Sequence, residues 1–537
     1  MLIDFRVGNF RSFRDEQTLS LVASKRLGDE HCAHCIKVPG LNDRLLRAGV
    51  IWGANGSGKS NLFKAMRFAV NLILHGTEPK KAVPYQPFAF SEEHLKSPMV
   101  FEFRFMMWDE VYSYGFAADS RQIHEEWLLH HEGGKTTTLF ERETAGEGEI
   151  SMTLGAPLKG KRHPKVAALS TVGTRRNQLF LTSIRDNIAA DDYGELLEPV
   201  IEWFEKHLSF IGPDDSFVHL AELIVADGQF AEFAGDFLRC SDTGVGGLSV
   251  ETTELDREHM LGSLDSESLD KMLASAGEGD VIVLGGPDGT QIIVEKEKGP
   301  KFKLRRIKAD HRIKGGETSE LPFAEESDGT RRLLDLLPAL YQLQSTCKVF
   351  VIDELDRSMH PNLSWEFLRF FLTACEGRCR QLVVTTHEDR LLDLELLRRD
   401  EIWFVQKNSD GASELRSLSA YKVRKDLKID KGYLNGRFGG VPQIGHLLGL
   451  LPEATESAEA DPDEREAVKA PVRSEIDESS VKNAPGHLAR LQEKNPVERA
   501  EREARPIHQM AKEKGWTKID ELERRNTVRD AARKRSG

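Results

Sequence analysis

Residues 49–66 read GVIWGANGSGKSNLFKAM, and this stretch decides the fold. Gly53, Gly58, Lys59 and Ser60 stand at the spacing G-x-x-x-x-G-K-[ST]. Glycines at these positions let the backbone turn inward, so that its amides point at phosphate oxygens. In such a loop the lysine reaches the β- and γ-phosphates, and the serine hydroxyl binds Mg²⁺. The stretch therefore predicts a phosphate-binding loop.

The residues on both sides of the loop fit this interpretation. The apolar run 48–52 predicts a buried strand, and Leu62, Phe63 and Met66 recur at helical spacing from Asn61 onward. A helix that begins there directs its positive end at the anion. We predict that the nucleotide is held by Gly53, Asn55, Gly56, Gly58, Lys59, Ser60 and Asn61.

Composition limits the classes of protein that fit this chain. Its 537 residues allow two or three domains, and the net charge of −13 provides no overall basic field for nucleic acid. No stretch approaches the 18 apolar residues of a membrane helix, and the first residues, MLIDFRVGNFRSF, lack a signal-peptide pattern. Six cysteines are few for this length. We therefore expect a cytoplasmic protein that has no membrane association.

The segment HCAHC carries four soft metal ligands, His31, Cys32, His34 and Cys35. A zinc site is one interpretation, but structural zinc sites draw their ligands from two separated segments. Cys375 and Cys379 provide a second segment only if folding brings them close. A polar loop without metal is the alternative.

Alternating patterns flank the loop and its helix. LIDFRV and TLSLVA predict strands at the start of the chain. After the helix, MVFEFRFMM, VYSYGFAA, HEEWLLHH and TTTLFERE predict four antiparallel strands beside the nucleotide site.

The middle and the end of the chain differ in pattern. Residues 176–275 are helical in pattern, with ELLEPVIEWFEKHL the clearest amphipathic piece, and DVIVLGG, TQIIVEKEK and KFKLRRIK then predict a hairpin and a third strand. From 451 to 484 the chain is acidic and poor in large apolar residues. Residues 485–537 mix Arg, Lys and Glu on predicted helices, which is typical either of a solvated tail or of a segment that docks a partner or nucleic acid.

Three later motifs supply the rest of a nucleotide site. KVFVIDE at 348–354 predicts a buried strand ending in Asp353, which we expect to hold Mg²⁺, and Glu354, which we expect to act as general base. QLVVTTH predicts a second strand, ending at His387, whose imidazole is placed to touch the γ-phosphate. Ser327 and Gly329, in EESDGTRRLLDLLPAL, predict a helix N-terminus that forms a second anion site.

Four motifs of the chain resemble those of ABC-type ATPases of the SMC, Rad-fifty and RecF branch. In order, they are GANGSGKS, which resembles the Walker A motif; SDGT, which resembles the signature; VIDELD, which resembles the Walker B motif with the D-loop; and TTH, which resembles the switch histidine. The resemblance implies ATP and Mg²⁺ as cofactors and an active homodimer or higher homo-oligomer. In that family the signature helix of one subunit covers the nucleotide of another. It thus assigns Ser327, Gly329 and the D-loop Asp356 to nucleotide binding, with Glu354, His387 and Lys59 as catalytic residues.

Two further residues follow from the resemblance. Gln86, in PYQPF, matches the Q-loop glutamine and is assigned with Ser60 and Asp353 to the metal. Arg11, in NFRSF, is expected to approach the adenine or the phosphates.

A narrower resemblance covers residues 1–447. Four segments resemble the RloA and abortive-infection ATPases of bacterial phage-defence operons. These segments are NFRSFRDEQTLSLVAS, SDGTRRLLDLLP, IDELDRSMHP and KGYLNGRFGGVPQI. The implied function is that of a sensor or switch, which dimerises on ATP and controls an effector protein, a nuclease or toxin, encoded in the same operon. The alternative is a RecF-like ATPase that clamps DNA, with KFKLRRIK among its basic runs.

The predicted fold class is α/β, an ABC-type head with a parallel P-loop sheet, flanking helices and an antiparallel lobe. We divide it into an N-lobe at 1–175, a compact insertion at 176–320, a C-lobe at 321–450, an acidic linker at 451–484 and a charged helical tail at 485–537.

Overall fold

A computed structural model describes residues 1–38, 41–145, 148–159, 163–217, 220–254, 277, 281–285, 291–296, 302–313, 317–374, 379–421, 429–434 and 436. The predicted linker and tail at 451–484 and 485–537 lie outside these residues, as does Cys375.

The strands, in chain order, are β1 Leu2–Gly8, β2 Gln17–Ser20, β3 Cys35–Lys37, β4 Arg44–Leu46, β5 Ala48–Trp52, β6 Met99–Met107, β7 Glu110–Ala118, β8 Ile123–Glu132, β9 Lys135–Thr144, β10 Ile150–Leu154, β11 Leu208–Ile211, β12 Val245–Glu254, β13 Val281–Gly285, β14 Gln291–Lys296, β15 Phe302–Arg312, β16 Thr318–Pro322, β17 Val349–Ile352, β18 Gln381–Thr386, β19 Ile402–Lys407 and β20 Ser413–Ser417. The helices are α1 Lys59–His75, α2 Pro164–Val172, α3 Phe180–Asn187, α4 Gly194–Glu202, α5 Leu220–Ala226, α6 Gly228–Cys240, α7 Asp328–Ser345, α8 Pro361–Ala374 and α9 Ile429–Leu434.

The central sheet has the order β11-β17-β18-β5-β19-β20, and every neighbouring pair is parallel except β19 and β20. Strands β5, β17 and β18 are wholly buried, as their continuous apolar runs predict. Because they are parallel, their carboxyl ends meet at one edge of the sheet. This edge carries the phosphate loop, the acids at 353–354 and His387.

A seven-stranded antiparallel sheet, of order β10-β9-β8-β7-β6-β1-β2, forms a second lobe. The four alternating segments that predict a meander are β6 to β9, each paired with the next. Aromatic side chains fill the space beneath the sheet, where Phe105 of β6 stacks on Trp203 at a centroid distance of 4.1 Å. The predicted α/β class, with a parallel sheet and an antiparallel lobe, is confirmed.

The amphipathic segment ELLEPVIEWFEKHL is helical up to its last residue. The α-helix ends at Glu202, a π-helical turn spans Trp203–His207, and Leu208 already begins β11. The four residues LSFI then pair in parallel with β17 at the edge of the central sheet. Such a short apolar run cannot be told from a helix end by its periodicity. Part of segment 176–320 thus contributes to the central sheet.

The predicted hairpin is formed by β13 and β14, and β15 is the third strand beside it. Strand β12 pairs with the other side of β15, while β16 also pairs with β15. Helix α6 packs on this sheet and also contacts α7 through Phe230 and Tyr341, whose ring centroids are 5.3 Å apart. No helix in the described part of the chain is long and apolar enough to cross a membrane.

Candidate nucleotide-binding site

The loop between β5 and α1 is shaped by close contacts at its glycines. A Cβ on Gly58 would lie 2.3 Å from the Ser413 hydroxyl, and the backbone there has φ +119°, which L side chains rarely adopt. A Cβ on Gly53 would lie 2.5 Å from the carbonyl oxygen of Val405 in β19. The sheet and its β19–β20 hairpin therefore press against the loop, and only glycine fits at both positions.

Lys59 is buried at the start of α1, and its ammonium lies within the loop. Nζ donates to the carbonyl oxygen of Gly53 at 2.6 Å and lies 3.3 Å from Nδ1 of His387. Burial lowers the Lys59 pKa to about 8, although Asp353, Asp356 and Glu354 oppose the shift. The site thus holds a cation whose charge is costly to bury and is suited to neutralisation by an anion.

The acids follow β17 as predicted. Asp353 is buried, and its Oδ1 accepts a 2.5 Å hydrogen bond from the Thr385 hydroxyl, which in turn accepts from the backbone N–H of Glu354 at 2.8 Å. Glu354 has φ +52°, a left-handed conformation that costs a non-glycine residue about 1 kcal/mol or more. Glu354 lines the pocket of the phosphate loop.

His387 reaches the same pocket from the end of β18. Its backbone N–H lies 3.2 Å from Oδ1 of Asp356, so the D-loop carboxylate holds the segment that carries the imidazole. Burial, reinforced by the charge of Lys59, lowers the His387 pKa. A neutral His387 accepts from Lys59 through Nδ1 and keeps its proton on Nε2.

These residues line one cavity of about 380 Å³, formed by residues 54–61 together with Glu354 and His387. The catalytic candidates Lys59, Glu354 and His387 are therefore together, and Ser60 and Asn55 lie on the loop side. Asp353 lies behind Glu354, bonded to Thr385.

The far end of the loop is held by residues that the sequence did not reveal. The Asn61 side-chain amide donates to Oγ of Ser12 at 2.8 Å, and the Ser413 hydroxyl lies 2.8 Å from the same Ser12 oxygen. Ser413 also bonds the carbonyl oxygen of Ser57 at 2.5 Å. Serines from the first turn and from β20 carry no pattern that separates them from surface serines, so only the fold identifies them.

Gln86 and Arg11 lie next to this end of the loop. Nε of Arg11 donates to Oε1 of Gln86 at 2.6 Å, and the Arg11 backbone N–H donates to the Gln86 carbonyl at 2.7 Å. Arg11 is exposed and has φ +51°. Gln86 is not among the residues that line the pocket, so its role as a metal ligand stays a prediction.

Ser327 caps helix α7, because its hydroxyl accepts from the N–H of Thr330 at 3.1 Å. A Cβ on Gly329 would lie 2.5 Å from the carbonyl oxygen of Ser358, so the glycine lets the D-loop pack against this helix end. Neither Ser327 nor Gly329 lines the phosphate-loop pocket of its own chain.

Arg332, one turn further along α7, joins this helix to the residue that follows β17. It is buried, and it donates to the carbonyl oxygen of Gly212 at 2.9 Å and to that of Asp353 at 3.2 Å. The arginine pair RR in the sequence gives no sign of which side chain turns inward. The structure thus shows a direct bridge between helix α7 and the backbone of Asp353.

The pocket fits a nucleoside triphosphate with Mg²⁺. Lys59 is a buried cation that bonds to loop carbonyls, and a Cβ on Gly56 would meet no protein atom within 4 Å, so an anion has space beside this part of the loop. The Ser60 hydroxyl and the Asp353 carboxylate are oxygen donors of the kind that Mg²⁺ prefers. When bound, Mg²⁺ neutralises phosphate charge, while Lys59 and the loop amides hold and orient the phosphates.

The segment HCAHC is held by protein contacts. Nδ1 of His34 lies 3.0 Å from Oε2 of Glu401, and Nε2 of His31 lies 2.7 Å from the carbonyl oxygen of Leu394. Within the described ranges, no group of three or more His, Cys, Asp or Glu side chains is arranged to hold a metal ion.

Comparison with protein families gives one match. Residues 50–152 and 255–393, a little under half of the chain, match the family described as "AAA domain, putative AbiEii toxin, Type IV TA system". The matched segments include the last three residues of β5, the phosphate loop, the acids after β17 and His387. No curated protein matches the chain.

Three solved structures are similar to the chain at low identity. The SMC head domain from Thermotoga maritima is 15% identical, with 78% of this chain and 98% of that chain covered and a TM-score of 0.32. The SmcHead bound to the C-winged helix domain of ScpA is 14% identical, with 79% of this chain and 99% of that chain covered and a TM-score of 0.34. The third structure is the Smc head domain with an extended coiled coil, bound to the C-terminal domain of ScpA derived from Pyrococcus furiosus. It is 14% identical, with 78% of this chain and 97% of that chain covered and a TM-score of 0.30. The family match and the geometry of the site support an ATPase built on a phosphate-binding loop.

Proposed function

We propose that this chain is an ABC-type ATPase that dimerises on ATP, hydrolyses it and thereby controls a partner effector. The observation that carries ATP hydrolysis is the convergence of Lys59, Glu354 and His387 on one phosphate-loop pocket. Lys59 binds and orients the phosphates, Glu354 takes a proton from the attacking water, and neutral His387 donates from Nε2 toward the γ-phosphate.

The position of the second anion site supports the dimer. Ser327 and Gly329 form a helix N-terminus of the right kind for phosphate, yet they do not line the pocket of their own chain. A second subunit that places this helix end over the pocket completes both sites at once. Contacts made only in the closed state can shift the equilibrium between open and closed dimers by several kcal/mol.

Control of an effector in antiviral defence rests on two supports. One is the resemblance of residues 1–447 to phage-defence ATPases, and the other is the matched family, whose description names a toxin and a type IV toxin–antitoxin system. The effector is taken to be a second protein, a nuclease or toxin, encoded in the same operon.

The native mass of the Glu354→Gln protein, with and without ATP and Mg²⁺, tests the dimer. Loss of the general base slows hydrolysis and leaves the binding contacts, so we expect the mass to double only when ATP and Mg²⁺ are present. The matched control is Glu354→Gln combined with Ser327→Arg, which keeps the phosphate loop but blocks the helix end and should stay monomeric with ATP bound. A doubly substituted protein that still doubles in mass would remove the signature helix from the interface.

Co-expression with the flanking genes distinguishes an effector from DNA. A neighbour's product that is bound stoichiometrically to the ATP-loaded Glu354→Gln dimer supports the switch. The DNA-clamp alternative predicts instead that this dimer retains duplex DNA at low salt and loses it steeply as salt rises. Lys308, in the basic strand β15, pairs with Glu251 at 3.1 Å and Glu320 at 3.3 Å, so its charge is already partly neutralised.

A further inference from the structure

Two cysteines stand at matching positions before neighbouring strands of the central sheet. Cys347 comes two residues before β17, and Cys379 comes two residues before β18. The strands are parallel, with Val349 opposite Gln381. Continuing this register by two residues places Cys347 opposite Cys379, with both side chains on the same face of the sheet.

Several contacts hold the residues just before β17 and just before β18 side by side. The Gln381 backbone N–H donates to the carbonyl oxygen of Lys348 at 3.0 Å, and Nε of Arg380 donates to that of Thr346 at 3.1 Å. Nδ1 of His207, next to β11, lies 2.5 Å from the carbonyl oxygen of Cys347. The backbone around the thiols is thus fixed on both sides.

The two thiols are in contact. A hydrogen bond between the Cys347 and Cys379 side chains raises the pKa of Cys379, and burial raises it further. Cys347 is exposed to solvent, whereas Cys379 is half-buried. Paired residues on neighbouring strands have Cα atoms roughly 5 Å apart, which lies inside the range of about 4.4–6.8 Å found for disulfides.

We propose that Cys347 and Cys379 form an intramolecular disulfide when a small-molecule disulfide, such as oxidised glutathione, reacts with the chain. Exposed Cys347 loses its proton and attacks the external disulfide, releasing one small thiol. Cys379 then loses its proton and attacks the sulfur of Cys347, releasing the second. Two protein thiols are oxidised, and one small disulfide is reduced to two thiols.

The bond would join the starts of the two strands that end at the nucleotide pocket. β17 leads to Asp353 and Glu354, and β18 leads to His387. In a reducing compartment the pair stays as two thiols and responds only when thiols are oxidised. This inference does not depend on the proposed ATPase activity.

The test is disulfide mapping on the full-length folded chain. The reduced protein is incubated with oxidised glutathione, free thiols are alkylated, and the chain is cut with a protease specific for glutamate. Cleavage after Glu326, Glu354, Glu376 and Glu388 gives fragment 327–354, whose one cysteine is Cys347, and fragment 377–388, whose one cysteine is Cys379. We expect these fragments to be joined, at a mass lower by about two hydrogen atoms than their sum, and to separate after reduction.

Cys32→Ser, which removes another exposed cysteine, should leave the joined fragments unchanged, and Cys347→Ser should abolish them. Recovery of fragment 327–354 carrying glutathione, with fragment 377–388 alkylated, would overturn the proposal, because it shows that Cys379 cannot resolve the mixed disulfide. A disulfide between Cys379 and Cys375 would also overturn the proposal. So would a result in which Cys347 and Cys379 are both alkylated while other cysteines of the chain are oxidised. The wild-type measurement decides the question even where a serine variant folds poorly.

Discussion

At the scale of single residues, Thr385 is the side chain that makes the two acids act together. Its hydroxyl donates to Asp353 and accepts from the N–H of Glu354, so it fixes both the carboxylate that we expect to bind Mg²⁺ and the left-handed turn at the proposed general base. Groups that orient a metal ligand in this way typically contribute about 10–100-fold to activity.

We therefore expect Thr385→Val to lower kcat for ATP hydrolysis by about 10–100-fold, because the valine keeps the volume but orients neither acid. ATP affinity should stay close to wild type, since Thr385 does not line the pocket. Thr385→Ser restores the hydroxyl and should recover most of the rate. Steady-state hydrolysis and nucleotide binding, measured side by side, check this, and a valine variant with normal kcat would contradict the assigned role.

Lys59 predicts a pH dependence of binding. Its pKa in the empty pocket is lowered to about 8 by burial, and bound phosphates favour the charged form. Below pH 7 the side chain is already protonated, so affinity should be nearly flat there. Above pH 8 binding must take up a proton, so Kd should rise by up to about tenfold per pH unit.

Calorimetry in two buffers of different ionisation enthalpy measures this proton uptake directly. Uptake should be small at pH 6.5 and should grow between pH 8 and 9. In Lys59→Arg, which keeps its charge throughout, the rise of uptake with pH should disappear. Equal uptake in wild type and variant at pH 9 would assign the proton to another group.

At the scale of elements, helix α7 follows the cap residue Ser327 and carries a buried acid, Asp335, in its middle. Oδ1 of Asp335 accepts from the backbone N–H of Phe217 at 2.9 Å, which ties α7 to the segment after β11. Burial raises the Asp335 pKa to about 6, against the opposing effects of that hydrogen bond and of Arg332. The helix thus holds a carboxylate that is unfavourable when charged.

The sign of the pH effect follows from this raised pKa. Between about pH 4 and 6 the folded chain binds more protons at Asp335 than the unfolded chain does, so this residue's contribution to stability falls as pH rises through that window. Asp335→Asn keeps the acceptor for Phe217 and removes the charge. We expect the variant to be more stable than wild type at pH 8, by at most about 3 kcal/mol, and the difference to vanish near pH 4.

Thermal unfolding of both proteins from pH 4 to pH 8 measures that difference. Asp328→Asn changes an exposed acid of the same helix and should show no gain of stability at pH 8. A wild type that is as stable as Asp335→Asn at pH 8 would mean that the buried carboxylate is compensated by its neighbours.

At the scale of the whole molecule, the proposed dimer makes each site from two chains. Lys59→Ala removes the phosphate-binding cation, and Ser327→Arg blocks the helix end of the signature, so each variant alone should be inactive. In a mixture, a mixed dimer has one site with an intact loop from the Ser327→Arg chain and an intact signature from the Lys59→Ala chain. We expect the mixture to regain activity, up to about a quarter of wild type if dimers form at random.

Hydrolysis assays on each variant and on the equal mixture test this. A mixture of Lys59→Ala with the double variant Lys59→Ala/Ser327→Arg contains no complete site and serves as the control. Absence of recovery, in a mixture shown to contain mixed dimers, would place both groups in one chain and contradict the shared site.

The sequence by itself determined the parts of this protein whose chemistry is local. A phosphate loop needs its glycines and lysine at fixed spacing, and a buried parallel strand needs a continuous apolar run, so β5, β17, β18 and the residues that follow each of them could be predicted. The meander β6 to β9 was predicted because alternation is a property of each strand alone. The N-cap at Ser327 was predicted for the same reason, since a cap depends on a few adjacent residues.

Tertiary structure decided the contacts between distant segments. Ser12, Ser413, Thr385 and Arg332 have no local pattern, and each gains its role only when another segment presents a partner within hydrogen-bond distance. The same holds for β11, whose four residues become a strand because the edge of β17 offers them backbone partners. Hydrogen bonds between groups far apart in the chain leave no periodicity in the sequence, so spacing predicted the candidate catalytic residues and only the fold revealed what holds them.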